Sequence, residues 1–259
     1  MLTDTHTHLY LDAFDEDRQK VVENAMNNGV KYMLLPNINS DSAESLIKLC
    51  DQFPDNCFPM MGLHPTSVKE NYKEELDLVT EWHEQERFVA VGEIGIDLYW
   101  DKTFQKQQEE AFRFQIELSL KRNLPIVIHS RESIDETVNV LKDYKNTGLK
   151  GVFHCFTGNV VQANEVIEMG FMLGIGGVVT FKNSGLAETI SQIDMKYILL
   201  ETDSPFLAPM PFRGKRNESA YTRIIAQKIA DIKNTNLTEV AEITTENAKR
   251  LFNLPINEQ

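Results

Sequence analysis

Eight short runs rich in Val, Ile, Leu and Met punctuate this chain, and longer amphipathic stretches separate them. The runs cover residues 1–9, 30–36, 57–64, 88–97, 124–130, 150–156, 171–176 and 197–203. Helical periodicity fills the gaps, over 15–28, 104–122 and 132–144; the second stretch carries Phe104, Gln108, Ala111, Phe112, Gln115 and Leu118 at spacings of three and four. Strand followed by helix, repeated eight times, predicts an α/β fold of the TIM-type (β/α)8 barrel class. The rival is an open doubly wound sheet, but the first strand is not followed by the Gly-rich phosphate turn G-x-G-x-x-G. A chain of 259 residues suits one barrel domain, and 42% hydrophobic with 25% charged residues fits a globular protein. The stretch 237–253 reads as an extra helix packing on the barrel, with Thr244 or Thr245 as its N-cap.

No apolar run approaches the roughly 18 residues of a membrane span, and no basic stretch with an apolar follower opens the chain. The cysteines Cys50, Cys57 and Cys155 show no C-x-x-C spacing and read as small buried hydrophobes in a reducing compartment. A cytoplasmic protein without an obligate protein partner is expected. The net charge of −13 argues against binding long polyanions, although a metal centre with a small basic rim can reverse the local field.

The titratable residues then fall into place. His6 and His8 end the first predicted strand, Glu93 lies in the fourth, His129 ends the fifth, His154 the sixth, and Asp203 the eighth. In an extended strand residues i and i+2 face the same way, so His6 and His8 present two imidazoles side by side. Strand C-termini converge on one mouth of a barrel, where catalytic groups gather. Because the eighth strand neighbours the first, His6, His8 and Asp203 are expected to hold one divalent ion and His129 with His154 another, Glu93 bridging. Imidazole and carboxylate ligands suit Zn, Mn, Co or Fe, with Mg less favoured. Paired ions activate water and stabilise the leaving oxygen of a phosphodiester or ester.

Seven stretches carry a resemblance to the TatD family of metal-dependent deoxyribonucleases, within the amidohydrolase-like barrels. They are Asp4-Thr5-His6-Thr7-His8-Leu9, Gly62-Leu63-His64-Pro65, Gly92-Glu93-Ile94-Gly95-Ile96-Asp97, Ile128-His129-Ser130-Arg131, His154-Cys155-Phe156-Thr157-Gly158, Glu201-Thr202-Asp203-Ser204-Pro205 and Arg213-Gly214-Lys215-Arg216-Asn217-Glu218. The resemblance implies the same six metal ligands, His6, His8, Glu93, His129, His154 and Asp203. The chain departs from the family pattern at Ser219, often Pro there, and at Leu98, often aromatic.

The expected activity is cleavage of nucleic-acid phosphodiesters, favouring single-stranded DNA ends, with Glu93 and Asp203 as catalytic residues and Asp203 taking the proton. His64, Arg131, Lys182, Arg213 and Arg216 are the candidate substrate contacts, Lys215 sharing their basic island, and Glu201 and Asp97 orient ligands or the Arg213 loop. His83, in the polar run Glu81 to Glu86, is expected on the solvated surface. An amidohydrolase acting on a small amide, ester or deaminase substrate is the first alternative, opposed by Glu93 where such barrels often carry a modified Lys. A non-catalytic metal-holding barrel is the second.

Overall fold

The structure, a computed structural model, describes residues 1–255. Among these residues eight strands alternate with helices: β1 Leu2–Asp4, α1 Arg18–Asn27, β2 Val30–Pro36, α2 Ser40–Gln52, β3 Cys57–Met60, α3 Tyr72–Gln85, β4 Val91–Asp97, α4 Gln105–Arg122, β5 Ile126–Arg131, α5 Ile134–Lys142, β6 Gly151–Phe153, α6 Val160–Glu168, β7 Phe171–Ile175, α7 Leu186–Gln192, β8 Ile198–Leu200, α8 Thr222–Lys233 and α9 Leu237–Phe252. All strand pairs are parallel, in the runs β1-β2-β3 and β4 to β8. Parallel bridges Met61 to Val91 and Thr7 to Ser204 join the two runs on both sides and close the barrel. Closure excludes the open doubly wound sheet.

Period-two alternation sorts the strand residues. Tyr32, Leu34, Met60, Val127, Val152, Met172 and Leu199 form one buried cluster with Ala248, Leu251 and Phe252 of α9. Met33, Leu35, Ile126, Ile128, Phe153 and Leu173 belong to a second cluster with residues of the surrounding helices. The first set is the barrel interior, its lower end covered by α9, and the same face continues upward from Val127 to His129, from Val152 to His154 and from Leu199 to Glu201 and Asp203. Apolar filling below therefore aims the polar side chains at the mouth.

Three expectations need correction. Most strands are shorter than their apolar runs: β1 stops at Asp4 and β8 at Leu200, so His6, His8 and Asp203 stand on the segments just beyond, where backbone bonds cross the β8–β1 seam. Thr5 and Asp203 donate N–H bonds to Leu200 O and His6 O across it. Helix α9 has the expected span, but its N-cap is Asn236, whose side chain accepts from Glu239 N; Thr244 and Thr245 are buried within the helix. His83 is not surface. It is 5% exposed and completes a buried stripe with Tyr72, Leu76 and Val79 on α3, and its Nε2–H donates to Met61 O at 3.2 Å. No described helix is long and apolar enough to cross a membrane.

Candidate metal centre

The centre is organised by one carboxylate. Glu93, 2% exposed on β4, turns Oε2 toward His6 Nε2 at 3.0 Å and His8 Nε2 at 3.7 Å. Its Oε1 faces His129 Nδ1 at 2.7 Å and His154 Nε2 at 3.6 Å. Asp203 Oδ1 completes the first side at 3.4 Å from His8 Nε2 and 3.9 Å from His6 Nε2. Asp203 holds a left-handed φ of 58°, uncommon for a non-glycine residue, and the bond from its N–H to His6 O pins it there.

Outer carboxylates fix the ring orientations. Asp97 Oδ2 lies 2.8 Å from His129 Nε2, so with that N–H donated the ring presents its Nδ1 lone pair to the cluster. Glu201 Oε1 lies 3.0 Å from His154 Nδ1 and also accepts Cys155 N–H at 2.6 Å, leaving His154 Nε2 to face inward. Gly174 on β7 makes room for Glu201: a Cβ there would collide with its carboxylate. Asp97 thus hydrogen-bonds its histidine, whereas Glu201 lies beside His154 Nδ1 and accepts its hydrogen bond from the Cys155 N–H.

The electrostatics follow from crowding. Burial raises the Glu93 carboxyl, but the surrounding imidazoles His6, His64 and His154 outweigh it and hold Glu93 well below the usual range. Burial likewise raises Asp203, and the bond to His8 with the charges of His154 and His6 brings it below the ordinary value. His154 moves oppositely: burial lowers it, yet Glu201 and Glu93 push it up to about 10. The buried carboxylates call for positive charge. The Nε2 atoms of His6 and His8 also face each other at 3.3 Å, close enough for one cation to take both. The donor set fits divalent metal ions: His6–His8–Asp203, His6–Glu93–His154, His64–Glu93–His129 and His154–Cys155–Glu201 each bring three candidate ligand atoms within 4.8 Å of one another. Around Glu93, His154 therefore groups with His6 and His129 with His64.

His64 stands inside the cluster, 3.4 Å from Glu93 Oε1 and 3.2 Å from His129 Nδ1. Its Nδ1 accepts the Thr66 N–H at 3.1 Å, which assigns the ring proton to Nε2. His64 is therefore a hydrogen-bond donor pointing into the centre, a role suited to a phosphate oxygen or a water.

The centre opens into a cavity of about 940 Å³ lined by His64, Arg131, Arg213, Lys215 and the exposed Trp100 and Phe206. Two expected substrate contacts do not line it. Lys182 is exposed outside it, and Arg216 is taken up by Asp17, at 2.7 and 2.8 Å, and Glu218, at 3.1 Å, with its guanidinium 4.7 Å over the Phe14 ring. Cys155 also departs from expectation: unlike the buried Cys50 and Cys57, it is half-buried and lines the cavity. The residues that sequence reading passes over are Tyr99, Trp100 and Phe206. Their available signal was aromatic residues placed directly after ligand-bearing segments.

Residues 3–253 match the family model described as TatD related DNase. Among relatives, the uncharacterized metal-dependent hydrolase YabD of Bacillus subtilis (strain 168) is 39% identical over 98% of this chain and 100% of its own length. A 3'-5' ssDNA/RNA exonuclease TatD from Erwinia tasmaniensis is 32% identical over 97% of this chain and 99% of its own. Among solved structures, a TatD homologue from Escherichia coli K12 superposes with a TM-score of 0.92 at 26% identity, covering 98% of both chains.

Proposed function

We propose a nucleic-acid phosphodiesterase activity, released at strand ends, for this chain, which belongs to the TatD related DNase family of metal-dependent hydrolases. The observation that carries the reading is the division of the Glu93 carboxylate, Oε2 toward His6 and Oε1 toward His129, at the floor of a cavity rimmed by Arg131 and Arg213. The name of the Erwinia relative, a ssDNA/RNA exonuclease, supports the same substrate class.

In this reading His6, His8 and Asp203 would hold one divalent ion and His129 and His154 a second, with Glu93 placed to serve both; Zn, Mg, Mn, Co and Fe are the candidates. Such ions, when bound, lower the pKa of a water and neutralise charge building on a phosphoryl group. The chain's own residues do the rest. Asp203, kept ionised by its histidines, accepts the proton that the attacking water loses. His64 donates its Nε2–H to a phosphate oxygen, and Arg131 and Arg213 hold the phosphate by charge. Asp97 and Glu201 keep His129 and His154 from rotating. The three unpaired cysteines support the cytoplasm as the compartment.

The test is incubation with end-labelled single-stranded DNA, duplex DNA and RNA, each with Mg, Mn, Zn or Co. Shortening of single strands from one end in at least one metal is expected. Intact strands in every metal, beside turnover of a small amide, would replace the nuclease by an amidohydrolase.

A further inference from the structure

An exposed tryptophan on a globular surface leaves apolar area in water, and Trp100 is 67% exposed with its neighbour Tyr99 at 48%. The two rings meet edge to face at 4.8 Å, and the Arg131 guanidinium lies 3.9 Å from the Tyr99 ring centre and 5.3 Å from that of Trp100. Trp100 and Arg131 both line the cavity of the metal centre. Flat π-faces beside a delocalised cation match the face of a nucleobase, and stacking of this kind accepts any base.

The patch is also registered to the chemistry. Asp97 Oδ1 accepts the N–H groups of both Tyr99 and Trp100 at 3.0 Å, while its Oδ2 orients His129 at 2.8 Å. One buried carboxylate thus fixes the turn bearing the aromatics and the ring of an expected ligand. The preceding Leu98 is turned inward, 7% exposed, so the aromatic presentation falls to Tyr99 and Trp100. Across the same cavity Phe206, 51% exposed, offers a second wall beside His8, ring centres 6.2 Å apart.

We propose that Tyr99, Trp100 and Arg131 form a nucleobase-stacking subsite that captures one unpaired base next to the phosphate being cleaved. The inference rests on the nuclease reading above and adds the determinant of strandedness. A base inside a duplex has both faces covered by its neighbours, so it reaches this platform only where the strand end is unpaired. Trp100 carries the capture, and Arg131 holds the base plane and contributes charge toward the phosphate.

The experiment uses the full chain with whichever divalent metal supports turnover, and a labelled single-stranded hexanucleotide in which one abasic residue is walked from the end to be cleaved. For the unsubstituted protein, one abasic position lowers kcat/KM about tenfold relative to the intact strand. Trp100→Ala lowers kcat/KM for the intact strand by about the same factor and abolishes the difference between strands, whereas Trp100→Phe retains it. Because Trp100 is largely exposed, these substitutions leave the fold intact, which circular dichroism checks. Equal sensitivity to the abasic position in Trp100→Ala and the unsubstituted protein overturns the subsite while leaving the nuclease standing. Absence of cleavage of any strand in every metal removes the nuclease reading and the subsite together.

Discussion

The Asp4 carboxylate accepts both the backbone N–H of Thr202, at 2.9 Å, and the Thr202 hydroxyl, at 2.7 Å, across 198 residues of sequence. This clamp ties the end of β1 to the segment after β8, and so sets His6 and His8 against Asp203. Ala at position 4 leaves the buried Thr202 N–H and the proton of its hydroxyl without their acceptor, while the hydroxyl oxygen still accepts from Ser204. Asp4→Ala is expected to lose about 2–4 kcal/mol of stability, while Asp4→Asn, which keeps an acceptor oxygen, loses much less. Urea unfolding of the three proteins checks this, and an unchanged midpoint in the Ala variant contradicts it.

Glu93 reaches toward both histidine groups, with 3.0 Å to His6 and 2.7 Å to His129. If two ions are held as proposed, Glu93→Ala is expected to empty both positions, whereas His129→Ala is expected chiefly to lose the ion proposed to lie between it and His154. Elemental analysis of the purified variants counts the ions. Two full equivalents in Glu93→Ala would show that the carboxylate does not bridge.

Asp203→Asn keeps an oxygen near His8 but loses the charge and the ability to take a proton. The expected result is a fall in kcat of roughly a hundredfold or more, with KM little changed. A raised KM at unchanged kcat makes Asp203 a positioning residue and shifts the proton to another carboxylate.

What the sequence disclosed and what it withheld divide along one physical line. Apolar runs mark the strands because both faces of a parallel strand are buried, and the four histidines and two carboxylates are legible because each lies within or at the end of such a run. Strand ends are less legible: in β1 and β8 the regular pairing stops at Asp4 and Leu200, and seam bonds such as Asp203 N–H to His6 O take over, which apolar content cannot show. His83 sits among Glu81, Glu84 and Glu86, yet its spacing from Leu76 and Val79 continues a helical face. Arg216 belongs to a basic run, but its partner Asp17 lies 199 residues away, beyond any local pattern.

That pairing changes the expected effect of charge removal. Arg213 lines the cavity with its guanidinium 4.6 Å over the Phe181 ring, whereas Arg216 is spent on Asp17 and Glu218. Arg213→Ala is expected to raise KM for a DNA strand several-fold. Arg216→Ala is expected to lose about 1 kcal/mol of stability with kcat/KM nearly unchanged. Steady-state kinetics beside thermal unfolding separate the two, and the reverse pattern contradicts the assignment.

The last prediction concerns acid stability and rests on His83. Burial lowers this imidazole, and nearby Arg122 adds to the effect; the bond to Met61 O only partly offsets them, so the group falls from 6.5 to about 4. Met61 bridges to Val91 where β3 closes on β4, and the His83 ring packs 4.8 Å from that of Phe88, so protonation would charge a ring held at the barrel seam. The folded value lies below the unfolded one, so protons favour the unfolded chain. The stability tied to neutral His83 is fully present above pH 6.5, erodes as the pH falls, and is lost once it passes below about 4. At about pH 5 the expected loss is about 2 kcal/mol. His83→Gln keeps an N–H donor for Met61 O and cannot titrate. Denaturant unfolding at about pH 7 and about pH 5 should therefore show the unsubstituted protein losing about 2 kcal/mol more than the variant. The difference between the two proteins cancels the titration of the metal-centre histidines, which both retain, so parallel losses would mean that His83 charges in the folded chain as readily as in the unfolded one.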